Sequence, residues 1–409
     1  MPAMSRMEDS VVDVLVVGAG PGGSAAAYYL ARAGLRVLLL DKAEFPRDKT
    51  CGDGLSPRAL AALDDMGLLP AVMQAGCRIN GVEIYGPDGR SIAAPIPGQD
   101  GRPGYMLVVP RRVLDGLLLE HARAQGAAFM PRIHVTDAQS TADGVTVRGA
   151  RDGQAVAFNA RAAVIATGAA SGLLVRMGVL AQAPPGMLAA RTYYEDLDVL
   201  HDRVQLRFDG VPLPGYAWVF PTGQRSANVG AGFLAGRSRR SPRQAFDAFI
   251  GRSRLRAALG RARRAGPVKG YPLRVDFAAA PTHAGRALLV GEAAGLVNPL
   301  SGEGIDYALE SGHIAAQHLI AMFERADFSP AQFAAYDRAL RERYLALFKF
   351  CARARNLALN PLVLPLLIRI AARRADLKLL LIRIVLGEQP IPRRITAWTV
   401  LRAMLHSRT

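Results

Sequence analysis

A largely apolar run from Val11 to Val17 gives way at once to Gly18-x-Gly20-x-x-Gly23, and a second apolar run, Val37 to Leu40, closes on Asp41. Runs this short, bounded by a glycine turn and an acid, predict strands, and the small-residue stretch between them predicts a helix. Residues 78–96 predict a hairpin that turns at Pro87-Asp88-Gly89, and residues 110–126 a helix with Pro110 near its start and Gly126 as its stop. Residues 132–166 break at Asp143-Gly144 and Asp152-Gly153 and predict a β-meander, which ends in the buried strand AAVIATGA and the turn Thr167-Gly168. The stretch 186–283 changes character: aromatics and prolines concentrate there and arginine is dense between Arg237 and Arg264, so a second unit with its own sheet and a helix or two is expected. Residues 286–320 return to strand, glycine turn and helix, and from about 326 the pattern is helical.

These elements predict an α/β chain with a discontinuous, Rossmann-like dinucleotide-binding domain built from residues 1–75, 102–185 and 284–325. An inserted α+β unit comprises residues 76–101 and 186–283, and a helical region residues 326–409. The first turn carries the chemistry of the first domain. Gly18 makes a tight turn, Gly20 lets a pyrophosphate approach the backbone, and Gly23 lets the helix pack on the strand. The helix that starts at Pro21 and Gly22 offers free N–H groups to phosphate. Asp41, followed by Lys42, stands at the distance where an acid accepts a ribose hydroxyl.

Composition narrows the class further. The chain has 409 residues, half of them apolar, which is enough for two or three domains and excludes a disordered protein. Its three cysteines, Cys51, Cys77 and Cys351, show no CxxC spacing and exclude a disulfide scaffold or a zinc site. Met1 to Asp9 has no apolar leader, and no uninterrupted apolar run reaches the roughly 18 residues of a spanning helix, so a cytoplasmic location is expected. The net charge is +17, and the segment from Arg341 onward holds 14 Lys or Arg against three acids, a net of +11. On one continuous helix, Arg369, Arg373, Asp376 and Arg383 would share an arc of about 80°. A basic, apolar helix of this kind either lies in a membrane interface, here on its inner face, or packs on the body with a solvated edge. Nucleic-acid binding is not expected, because no basic–aromatic interleaving accompanies the charge.

Four further segments hold candidate chemistry. In FPRDKTCGDGL, Cys51 and Gly52 sit among Arg47, Lys49 and backbone amides. A lone cysteine is ordinarily a buried thiol, but this setting also suits a proton donor or thiolate. Arg111 precedes a helix, as a phosphate clamp or a solvated arginine would. Gly291-Glu292 ends a strand with an acid that can bond a sugar hydroxyl, and Gly302-Glu303-Gly304-Ile305 begins a helix whose dipole favours an anion. In PGYAWVFP, Tyr216, Trp218 and Phe220 alternate onto one strand face, either as core or as an apolar wall with a phenol and an indole N–H.

Together, the glycine fingerprint, the Cys-Gly loop, Arg111, the ATG turn and the GE turn resemble the flavoproteins built like para-hydroxybenzoate hydroxylase. Tyr-x-Trp-x-Phe-Pro, with FPRDK-x-CGDGL and NPLSGEGIDYALESG, resembles the geranylgeranyl reductase family, which includes bacterial reductases of menaquinone side chains. The resemblance covers about residues 11–325. It implies a glutathione-reductase-type FAD-binding domain with an inserted substrate domain. FAD would be held by Gly18, Gly20, Pro21, Gly22, Gly23, Asp41, Lys42, Cys51, Gly52, Arg111, Thr167, Gly168, Gly291, Glu292, Gly302, Gly304 and Ile305. It implies hydride delivery from reduced flavin N5 to a carbon–carbon double bond of an isoprenoid lipid or prenyl quinone. Cys51 or Tyr216 would be the proton donor, and Tyr216, Trp218 and Phe220 would line an apolar channel. Only one nucleotide fingerprint is present, so the reductant, NADPH or a small electron-transfer protein, is expected to bind transiently. The competing expectation is a single-component FAD monooxygenase or epoxidase on the same fold.

Overall fold

The computed structural model describes residues 12–98, 103–198, 202–236, 241–252, 255–260 and 262–387. Strands β1 (Val12–Val17) and β2 (Val37–Leu40) lie parallel, with Val14 opposite Val37 and Val17 opposite Leu40, and helix α1 (Pro21–Arg32) connects them. All four β2 residues and five of the six in β1 are buried, and helix α1 packs against both strands. Helix α1 begins with Pro21, Gly22, Gly23, Ser24 and three alanines, all buried. Small residues are required there. A side chain at Gly312, on the facing helix Ile305–Arg325, would put its Cβ 2.4 Å from the Gly22 carbonyl oxygen.

Outward from β1 and β2, the sheet adds the parallel strands Ala128–Met130 beside β2 and Gln154–Ile165 beside β1, then Ala287–Leu289. The predicted meander is present. Strands Ile133–Ser140, Val145–Arg151 and Gln154–Ile165 pair antiparallel in sequence. The hairpin predicted over 78–96 forms from β3 (Gly81–Tyr85) and β4 (Ser91–Pro95). It joins the second sheet, where the order is Arg263–Arg264, β5 (Met187–Glu195), β7 (Ser226–Leu234), β6 (Gly215–Gly223), Arg203–Arg207, β3 and β4. Three short strands, Gly54–Leu55, Met106–Val108 and Cys77–Ile79, tie the loop after β2 into a separate small sheet.

The second sheet has two chemically distinct faces. Ala217 and Val219 of β6, with Val229 and Ala231 of β7, pack on Phe246 and Phe249 of helix Pro242–Arg252. The alternate residues, Tyr216, Trp218 and Phe220, point the other way, toward the first sheet, as period-2 geometry requires.

After α2 (Ile305–Arg325), helix α3 (Pro330–Ala358) buries Phe333, Tyr336, Leu340, Tyr344, Leu347 and Cys351, a stripe of helical period. The single basic helix expected over 361–387 is corrected. It is two helices, α4 (Val363–Arg373) and α5 (Ala375–Val385), broken at Arg374, whose backbone is extended at φ −128°, ψ 111°. The break lets both halves turn an apolar side inward, burying Ile368 from one and Ile382 from the other, while both contact β4. Asp376 and Arg383 therefore do not continue the arc of Arg369 and Arg373. Among the described residues no single helix is long and apolar enough to cross a membrane. The basic residues Arg393, Arg394, Arg402 and Arg408, and the stretch Met1 to Asp9, lie outside the described residues.

Candidate active site

Between the two sheets lies a cavity of about 770 Å³. Every cofactor residue expected from the sequence lines it except Gly23, which packs behind the turn. Gly18 sits at φ +106°, and a Cβ there would lie 2.4 Å from the Ala166 oxygen. A Cβ at Gly23 would lie 1.8 Å from the Gly18 oxygen, so helix and turn touch through backbone. Gly20 differs: its missing side chain would meet only the guanidinium groups of Arg47, at 3.5 Å, and Arg111, at 4.0 Å. The backbone of the turn thus faces two cations across an open space, the arrangement that holds a pyrophosphate. Both arginines share Asp115. Arg111 makes a bidentate contact at 2.7 and 2.8 Å, and Arg47 approaches at 3.1 Å. Burial works against the Arg111 charge, but Asp115 and Cys51 together outweigh it and hold the guanidinium above its ordinary pKa.

At the ribose end, Asp41 accepts hydrogen bonds from the backbone N–H of Ala19 and of Ala43, both at 2.8 Å, so its carboxylate is locked beside the turn. Next to the turn, directly after Ala166, the hydroxyl of Thr167 is buried with no hydrogen-bond partner. A buried hydroxyl left open at a cavity wall fits a polar ligand group that completes it. Glu292 accepts from the Arg274 N–H at 3.1 Å and lies 3.6 Å from Lys49 Nζ. Burial depresses the Lys49 pKa despite Glu292. Sequence reading placed Arg47 and Lys49 only as the setting of Cys51. The fold brings Arg47 to the pyrophosphate turn and Lys49 to the Thr167-Gly168 turn. Their position in one loop with Cys51 was the available signal.

The Cys51 loop is pinned to the second sheet by residues the sequence did not mark. Asn228 of β7 donates to the Cys51 carbonyl at 2.8 Å and to Asp53 at 2.7 Å, and its own oxygen accepts from Trp218 Nε1 at 2.9 Å. Asp53, fully buried and at φ +65°, also accepts from Tyr193 Oη at 2.6 Å. Burial pushes the Asp53 carboxyl above its ordinary pKa, against these hydrogen bonds. The Cys51 Sγ accepts the Asp53 N–H at 3.3 Å and lies near enough to the Arg111 guanidinium to favour its charge.

The aromatic row runs Phe208, Tyr216, Trp218, Phe220, with successive ring centroids 6.2, 6.0 and 6.4 Å apart. Opposite Trp218 on β7 is Gly230, where a Cβ would fall 2.0 Å from the indole ring. The polar tips expected of this wall are engaged elsewhere. The Trp218 N–H bonds Asn228, and the Tyr216 hydroxyl donates to the Ser301 carbonyl. Burial raises the Tyr216 pKa further. The wall therefore presents ring faces to the cavity. Val82, Val204, Leu206, Leu359, Val385 and Leu386 extend the apolar lining from there.

Residues 11–348 match the family described as FAD binding domain. A menaquinone reductase from Mycolicibacterium smegmatis is 35% identical over 91% of this chain and 90% of its own length. The chain belongs to the geranylgeranyl reductase family of FAD-dependent oxidoreductases. A second member, a digeranylgeranylglycerophospholipid reductase from Methanopyrus kandleri, is 32% identical over 83% of this chain and 88% of that one. A geranylgeranyl bacteriochlorophyll reductase-like structure from Thermoplasma acidophilum superposes with a TM-score of 0.79 at 25% identity, covering 98% of this chain and 97% of that chain. The family's cofactor suits the residues present: an open Gly20 flanked by two guanidinium groups and an unpartnered Thr167 hydroxyl fit the phosphates and polar groups of FAD.

Proposed function

We propose that this flavoenzyme saturates carbon–carbon double bonds in the isoprenoid chain of a membrane lipid or prenyl quinone. The carrying observation is one cavity in which the phosphate cradle and the apolar aromatic wall are continuous. Bound FAD, once reduced by NADPH or another transient donor, supplies the hydride. In this reading Arg47, Arg111 and the α1 N-terminus hold the pyrophosphate, and Asp41 takes a ribose hydroxyl. Thr167, Gly168 and Glu292 hold the middle of the cofactor, and Gly302, Gly304 and Ile305 begin the helix that faces its ring.

The proton comes from Cys51. An isolated alkene accepts hydride poorly, so a positioned acid and a dry, tight site must lower the barrier. The Asp53 N–H and Arg111 both stabilise the thiolate that Cys51 leaves behind, whereas the Tyr216 proton is committed to a backbone carbonyl. Solvent then returns the proton to Sγ. Tyr216, Trp218 and Phe220 hold the prenyl chain by area and shape. Residues 76–101 and 186–283 supply the substrate unit, and the basic helices α3, α4 and α5 rest on the cytoplasmic face of the membrane.

Mass spectrometry of prenyl lipids from cells with and without the protein tests the reading. The expected result is a species in the deletion strain that lacks two hydrogens for each bond normally saturated. Identical lipid profiles, together with a hydroxylated or epoxidised product made by the purified protein only in oxygen, would replace it with the monooxygenase reading.

A further inference from the structure

Among the described residues six large apolar side chains stand exposed, and four of them, Leu357, Leu362, Val363 and Leu366, fall within ten positions at the turn between α3 and α4. Leu362 is 85% exposed and Leu357 65%. Scattered exposed leucines need no explanation, but a cluster marks an interaction surface. The turn is built to hold this tip outward. Asn360 Oδ1 accepts the Leu362 N–H at 2.9 Å, and the Asn360 carbonyl accepts from Val363 and Leu364 at 3.1 and 3.0 Å.

The charge around the tip is ordered along the helix. Leu362, Leu366, Arg369 and Arg373 are spaced by four, three and four residues, so they form one stripe, and all four are exposed. The arginines follow the leucines by seven residues, about 10 Å along the axis. Residues 341–387 hold ten Lys or Arg against two acids. Apolar at the end and cationic one to two turns back, the stripe matches the depth profile of an anionic lipid surface. A second copy of the chain would bring like charges together.

The position relative to the cavity gives the tip its use. Leu359, between the exposed Leu357 and Leu362, is buried and lines the cavity; Val385 at the end of α5 and Leu386 just after it line the cavity too. The inside of this turn is thus the far apolar wall of the cavity, while its outside is the exposed tip. We propose that the α3–α4 turn dips into a bilayer of anionic lipid, with Leu357, Leu362, Val363 and Leu366 among the acyl chains and Arg369 and Arg373 at the phosphates. The apolar end of the cavity then faces the bilayer, and a prenyl chain enters without crossing water. The entry route rests on the lipid-substrate reading; the docking surface does not.

The test uses the FAD-loaded full chain in cosedimentation with vesicles of phosphatidylcholine alone or mixed equally with phosphatidylglycerol. The wild type is expected to partition onto the mixed vesicles and weakly onto the neutral ones. Leu362→Ser with Leu366→Ser should lower the partition coefficient by about tenfold or more. Arg369→Gln with Arg373→Gln should lower it by roughly fivefold per arginine on anionic vesicles only. None of these residues lines the cavity, so flavin absorbance and turnover of a detergent-dispersed short prenyl substrate should stay at wild-type levels while turnover of a vesicle-borne long chain falls. Unchanged partition of the leucine variant overturns the proposal. So does a wild-type dimer that the same variant dissociates, since that assigns the face to a second copy. Protein that binds vesicles as described but reduces no prenyl chain leaves the docking surface standing and defeats the substrate reading instead.

Discussion

The two walls of the cavity are built by opposite means. On the cofactor side, backbone meets backbone: Gly18 against Ala166, Gly23 against Gly18, Gly312 against Gly22, each with no space for a methyl group. On the second-sheet side, ring faces meet empty space, and the shape is set by side chains that themselves rest on polar anchors, Asn228 and Asp53. A wall of close backbone contacts fails as a whole when one position is filled. A wall of side chains deforms by degrees, which is how one fold can hold the same cofactor and admit different apolar chains.

Gly23→Val tests the stiff side and should have the largest effect. Its Cβ would fall 1.8 Å from a backbone oxygen, so the variant should purify colourless or not fold, read by flavin absorbance and circular dichroism. Retained yellow colour would mean the turn is as deformable as the opposite wall. Cys51→Ser separates chemistry from grip. It should keep FAD, yet lose roughly 10²–10⁴ in the rate of bond saturation under single turnover, the usual worth of a positioned acid. An unchanged rate removes Cys51 as the donor. Gly230→Ala probes the soft side. The added methyl collides with the Trp218 ring at 2.0 Å, and the indole should swing into the cavity. Flavin affinity should hold while KM for a long prenyl substrate rises about tenfold, a graded loss of about 1.4 kcal/mol.

A last effect, on stability and not on turnover, concerns a buried carboxylate under the cofactor side. Asp306 is 2% exposed with both oxygens lacking a hydrogen bond, and burial pushes its pKa from 3.8 to about 6, against Arg58. A raised carboxyl contributes stability that is present below its unfolded pKa and is lost as pH rises through the folded one. The Asp306 contribution to thermal stability should therefore decline between about pH 4 and pH 7 by at most about 3 kcal/mol. Asp306→Asn should flatten that decline without changing flavin content. An equally steep decline in the variant would locate the titration elsewhere.

The same contrast explains what the sequence disclosed. The cofactor wall was legible because its parts are local: strand, glycine turn, helix, strand and acid follow one another over Val11–Asp41. The alternation of Tyr216, Trp218 and Phe220 was legible too, since period 2 fixes a strand face without knowledge of its neighbour. What holds that face was not. Asn228 reaches Asp53 across 175 positions of sequence, and an asparagine inside an apolar strand carries no local signal of its partner. The break at Arg374 was missed for the same kind of reason. Helical periodicity continued through it, and only the packing of Ile368 and Ile382 on the body distinguishes one helix from two.

The most direct measurement is anaerobic mixing of the reduced FAD-loaded protein with a prenyl quinol, whose ring can accept no electrons and whose side chain is unsaturated, following flavin absorbance and the mass of the lipid. Continuity between cradle and aromatic wall predicts flavin reoxidation that requires the unsaturated chain, and a product heavier by two hydrogens for each bond reduced. A flavin that stays reduced until oxygen is admitted, with the chain unsaturated throughout, would contradict it.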